Sequence, residues 1–148
     1  YGVNSWWSKV GSQAIDRSGL IVEKNFQRYR HYLAPIVVVI DESTTQVEKS
    51  LIHHISETTG AKIIFTNDLR DVKEKFSRVR WLASSKPPVL EMLQQGISID
   101  HRPVAQRGDI ECPRWLIEQS VAITYHRYGN PNGGPKPSCS GLSGPFSK

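Results

Sequence analysis

Several groups of side chains in this sequence are of the types that chemistry uses. Asp41 and Glu42 stand together directly after the apolar run Ile36-Val37-Val38-Val39-Ile40. Paired carboxylates at such a place can hold a magnesium ion, although acids there more often serve the N-terminus of the next helix. Cys112, between Glu111 and Pro113, is a candidate nucleophile. No activating partner is evident, so a small apolar filler is the better reading. His53 and His54 are adjacent, and with His31, His101 and His126 they form no spacing that a metal requires. No serine sits in a nucleophile elbow. The turn Asp41-Glu42-Ser43-Thr44-Thr45 lacks glycine and opens with two carboxylates, which argues against a dinucleotide phosphate there.

Two further clusters suit recognition better than catalysis. Arg28-Tyr29-Arg30-His31-Tyr32 interleaves cations with aromatic rings, as single-strand nucleic-acid binders do. The run is only five residues and no recognition motif accompanies it, so stacked Arg–Tyr packing explains it as well, and nucleic acid is disfavoured. Near the end, Glu118 to Asn130 joins an expected helix to Tyr125, His126, Arg127 and Tyr128, groups able to dock on a neighbouring surface. With Trp81, Arg114 and Trp115 these four are the candidate interface residues.

The elements that must position these groups follow from periodicity. Ile36 to Ile40 is a continuous β-branched run, which predicts a strand covered on both faces. Val47, Leu51, Ile52 and Ile55 recur at helical spacing, with capping side chains before them and Gly60 behind. Ala61 to Thr66 predicts a second strand, Asn67 and Asp68 cap a short helix, and Val79 to Leu82 predicts a third strand. Pro87 and Pro88 open a helix that stops at Gly96, followed by a fourth strand over Ile97 to Asp100. The spacing of Leu116, Ile117, Ser120 and Val121 predicts a last helix from Pro113 to about Ile123. Alternating strands and helices define an α/β fold, a small and mostly parallel sheet of three to four strands with flanking helices.

Three regions are expected around it. Residues 1–35 read as an irregular lead-in packing its tryptophans on the body, residues 36–128 as the α/β unit, and residues 129–148 as a flexible tail. The tail holds five Gly, four Pro and four Ser, a composition that builds no packed core. The net charge of +5 is uneven: residues 1–35 carry five basic and two acidic groups, and the remainder is nearly balanced. That permits anionic partners without demanding them. Two cysteines without zinc-type spacing point to a reducing, cytoplasmic setting. The longest apolar run, Leu33 to Ile40, contains Pro35 and is too short for a membrane span. No charged-then-apolar leader signals secretion, and a first residue Tyr1 in place of Met reads as a processed chain or a piece of a longer one.

The segments Arg78-Val79-Arg80-Trp81-Leu82, Pro113-Arg114-Trp115-Leu116-Ile117-Glu118-Gln119-Ser120-Val121 and Tyr125-His126-Arg127-Tyr128-Gly129-Asn130 resemble the C-terminal end of L-glutamate γ-semialdehyde (Δ1-pyrroline-5-carboxylate) dehydrogenases. That family includes the aldehyde dehydrogenase half of the bifunctional proline-utilisation flavoproteins. Asn25 to Arg30 is similar to the lead-in such proteins carry, and Trp7-Ser8-Lys9-Val10-Gly11 is similar to their Trp-Lys-x-Ser-x-x-Gly passage. The resemblance implies an aldehyde dehydrogenase parent that oxidises glutamate semialdehyde with NAD, using a cysteine in a Gly-Gln-x-Cys setting and a glutamate base. Neither Cys112 nor Cys139 has that setting. The implied role is therefore a non-catalytic C-terminal domain, without a cofactor of its own, whose partner is the catalytic body or a neighbouring subunit. The alternative is a stand-alone basic module for nucleic acid or an acidic ligand.

Overall fold

A computed structural model of the chain describes residues 2–16 and 23–124. The chain begins with a short helix α1 (Val3–Trp6) that continues as a π-helical turn over Trp7–Gly11, followed by strands β1 (Ile15–Asp16) and β2 (Glu23–Arg30). Next come β3 (Ile36–Val39), α2 (Gln46–Thr59), β4 (Ile63–Thr66), a 3-10 turn at Leu69–Asp71, and β5 (Arg78–Trp81). Helix α3 (Val89–Gln94), β6 (Ser98–Asp100), α4 (Gly108–Glu111), a 3-10 turn at Cys112–Trp115 and β7 (Ile117–Thr124) complete the order.

Four strands form a wholly parallel sheet in the order β4-β3-β5-β6, as the alternation of strands and helices predicts. All four residues of β3 are buried, with Val37 and Val38 fully so. Both faces are indeed covered. Ile36 and Val38 join Ile52, Ile55, Val3, Trp6, Trp115 and Leu116 on one side. Val37, Val39 and Val79 meet Leu69, Val72, Phe76 and Trp81 on the other.

Local chemistry sets the ends of the elements. Thr45 caps α2 through a capping box: its hydroxyl accepts the Glu48 N–H at 3.2 Å, and Glu48 Oε2 accepts the Thr45 N–H at 2.7 Å. Such caps contribute about 1 kcal/mol. Gly60 ends α2 at φ 79°, in the left-handed region where a side chain is strained. Asp68 caps the turn at Leu69–Asp71 by accepting the Arg70 N–H at 2.9 Å.

Two expectations are corrected. The segment predicted as a helix from Pro113 is a 3-10 turn followed by strand β7. The lead-in is not irregular either: its first residues are helical, and Glu23–Arg30 pairs antiparallel with β7 along its whole length, from Glu23↔Thr124 to Arg30↔Ile117. With β1 these strands make a second, three-stranded sheet. Local spacing hid this pairing because the partners are far apart in the chain, 91 residues in the case of Arg28 and Gln119. Among the described residues no helix is long and apolar enough to cross a membrane.

Candidate functional site

In open parallel sheets, ligands settle outside the carboxyl ends of the strands where successive connections diverge. Here that point lies between β3 and β5, because β3 leads to β4 on one side and the chain then crosses to β5 on the other. The protein's own groups bridge it. Asp41 Oδ2 accepts the Ser84 N–H at 2.7 Å and the Ser84 hydroxyl at 2.6 Å, while Oδ1 accepts the Ser43 N–H at 2.9 Å and the Ser43 hydroxyl. Bonds from the Ser43 and Ser84 hydroxyls hold this carboxyl well below the usual carboxylate range. The helix N-terminus beyond it is answered by Glu48, so the place where an anion would sit already holds a carboxylate. Asp41 is thus a latch between two strand ends, and Glu42 beside it is exposed. Among the described residues, no three His, Cys, Asp or Glu side chains gather as metal ligands would.

Behind the sheet lies a buried charged network. Arg80, on β5, is 2% exposed and Glu111, at the end of α4, is fully buried. Arg80 Nη2 donates to Glu111 Oε1 at 3.1 Å. Glu111 also accepts the Trp115 indole N–H at 3.1 Å, the Ala105 N–H at 2.8 Å and Arg114 Nη1 at 2.9 Å. The remaining Arg80 donors reach Asp100 Oδ1 at 3.4 Å and the carbonyls of Asp100, Arg102 and Pro103. Every lone pair and proton that burial would penalise is answered within the protein. The arrangement fixes the loop 101–107 against the sheet.

The sequence candidates disperse accordingly. Cys112 is fully buried, and burial with the neighbouring Glu111 charge pushes its thiol up to about 12, the opposite of what a nucleophile needs. His53 and His54 are both exposed, and the His53 ring lies 5.0 Å from that of Phe65. In the Arg28 to Tyr32 cluster the rings face inward: Tyr29 meets Trp6 edge-on at 5.0 Å, and Arg78 stacks over Tyr32 at 4.7 Å. Of the interface candidates, Trp115 is 1% exposed and belongs to the core, so its ring has no face left for a partner. Trp81 is half-buried with its N–H on the Ser85 carbonyl, and Arg114 is turned in towards Glu111 and Pro103. Tyr125, His126, Arg127 and Tyr128 lie outside the described residues.

A feature that local reading missed is the ribbon of β2 and β7. Side chains alternate across it. Tyr29 turns towards α1, where its ring meets Trp6, and Gln27 shares that face of the ribbon, donating to Glu118. The opposite face carries Phe26, Arg28 and Arg30 from β2, in register with Val121, Gln119 and Ile117 from β7, with Ile123 continuing the stripe. Arg28 Nε donates to Gln119 Oε1 at 3.1 Å across that face. Phe26, Val121 and Ile123 are half-buried yet belong to neither core cluster, and Ile117 is 38% exposed. The period-two spacing of Ile117, Gln119, Val121 and Ile123 was the available signal.

No protein-family model and no curated protein matches the chain. Among solved structures it is similar to proline utilization A (PutA) from Corynebacterium freiburgense, with a TM-score of 0.64 and 23% identity over 86% of this chain. The chain spans 13% of the length of that structure. At this identity the likeness is one of fold.

Proposed function

We propose that this chain is the non-catalytic C-terminal part of a proline-catabolic, NAD-dependent L-glutamate γ-semialdehyde dehydrogenase. The observation that carries the reading is the likeness of fold to a small part of PutA. It agrees with the sequence resemblance of Arg78–Leu82 and Pro113–Asn130 to that class of enzyme. The latched switch point supports a non-catalytic role, since Asp41 and Ser84 occupy the place a dinucleotide would take. The ribbon supplies the docking face. Phe26, Ile117, Val121 and Ile123 offer an apolar stripe that a catalytic body or neighbouring subunit would cover, closing a passage or fixing an assembly. NAD and the nucleophilic cysteine belong to that body.

The reading is tested by the coding sequence that precedes Tyr1. A segment of Gly-Gln-x-Cys type in the same frame is expected; a frame that opens at this chain with no such segment would overturn it. A second check is enzymatic. The 148-residue chain incubated with glutamate semialdehyde and NAD should form no NADH, and formation above a blank would show a site of its own.

A further inference from the structure

At the far edge of the parallel sheet three separate features meet. The first is an open strand edge. β6 is the last strand in its sheet and pairs only with β5 among the described residues. The Ser98 N–H donates to the Ser77 carbonyl at 3.0 Å. In a parallel ladder that bond sets Ser98 and Asp100 inward and leaves the Ile99 amide and carbonyl facing out.

The second is charge. Arg80, Arg102 and Arg114 share the two carboxylates of Glu111 and Asp100, and a fourth guanidinium, Arg78, donates to the Arg114 carbonyl. Two positive charges remain in excess, beside a cavity of about 360 Å³ lined by Arg78, Ser98, Ile99, Asp100, His101 and Arg102. The third is apolar surface. Helix α3 has no buried residue, and Leu90 and Leu93 are 75% and 61% exposed. A cavity of about 340 Å³ opens between Pro87, Pro88, Val89, Leu90 and His101, with Lys86 and Glu91, whose charges cancel, also on its wall. His101 lines both cavities, and the Ile97 N–H bond to the Met92 carbonyl at 2.9 Å ties α3 to the start of β6.

We infer that this corner binds an extended segment of a partner protein that carries a carboxylate next to a large apolar side chain. The segment adds a strand to β6 through Ile99, sets its apolar side chain against Pro88 and Leu90, and brings its carboxylate to Arg78 and Arg102. Excess positive charge selects an acidic segment over a basic one. The surface is separate from the β2–β7 ribbon, so the inference stands apart from the docking role assigned to that face.

The test is a titration of the isotope-labelled 148-residue chain, followed by amide NMR, with two synthetic peptides: Ac-Glu-Val-Leu-Val-Glu-amide and its analogue with both Glu replaced by Lys. The acidic peptide should shift the amides of Val89–Leu93 and Ser98–Arg102 saturably, and the Lys analogue should not. Leu90→Ser, on an exposed side chain, should weaken the acidic peptide at least ~5-fold without changing the rest of the spectrum. Raising NaCl to about 0.5 M should weaken it as well, because the attraction is screened. Equal binding of both peptides, shifts elsewhere in the chain, or shifts reproduced by sodium acetate alone would overturn the proposal. So would an acidic peptide that shifts nothing at millimolar concentration.

Discussion

Arg80 and Glu111 come from elements 31 residues apart and meet in the interior at 3.1 Å, one 2% exposed and the other not at all. Their union joins the sheet to α4 and to the loop between them. Neither charge would be tolerated there alone.

Glu111→Ala should therefore be among the most costly single changes in the chain. It strands the Arg80 guanidinium and removes the acceptor for Trp115, Ala105 and Arg114. A loss of about 3–5 kcal/mol is expected from urea unfolding. The Arg80→Met, Glu111→Leu pair should lose less than the sum of the single changes. Additive losses would show that the two side chains act independently.

Stability should fall in acid through the strand-exit aspartates. Hydrogen bonds from the Arg70 side chain and amide hold Asp68 at about 2. Burial opposes the ionisation of Asp100, but bonds from Arg102 and the charges of Arg80 and Arg102 outweigh it and hold that carboxyl at about 2 as well. Both values lie below the unfolded carboxylate, so their contribution is complete above about pH 4 and is lost as pH drops towards about 2. Urea midpoints measured across that interval should decline steadily. A flat profile between pH 4 and pH 2 would contradict the assignment.

Gly108 should resist substitution for a reason of space. A Cβ there would lie 2.7 Å from the carbonyl carbon and oxygen of Gly2, main-chain atoms that no rotamer can move. Gly108→Ala is expected to cost about 1–3 kcal/mol by pushing α4 away from the N-terminal segment. Thermal unfolding indistinguishable from the parent chain would show that this contact is not tight.

The thiol of Cys112 should ignore alkylating reagents in the folded chain, being buried and held protonated to about 12. Peptide mapping after iodoacetamide at pH 8 should find Cys112 unmodified until urea is added. Rapid native modification at this residue would revive the nucleophile reading.

What the sequence disclosed was what neighbouring residues decide. Ile36 to Ile40 announced a strand buried on both faces, Thr45 and Glu48 its following helix, and Gly60 the end of that helix. The ribbon was hidden because β2 and β7 stabilise each other from opposite ends of the chain. Leu116, Ile117, Ser120 and Val121 fit a helical stripe as well as Ile117, Val121 and Ile123 fit an alternating one, and only the partner strand decides between them. The same distance concealed the site. Nothing near Asp41 predicts Ser84, 43 residues on, and nothing near Arg80 predicts Glu111. Trp115 looked like an interface residue because a large aromatic beside an arginine suits either a surface or a core, and its indole bond to Glu111 made it core.

The proposed docking role requires the ribbon face to be covered by a larger partner. Hydrogen exchange of Asn25–Arg30 and Ile117–Ile123 should be compared between the 148-residue chain and the protein made from the whole reading frame that contains it. Slowing of these amides by at least ~10-fold in the longer protein, with α2 unchanged, is the expected result. Equal exchange of the ribbon in both would contradict the docking role.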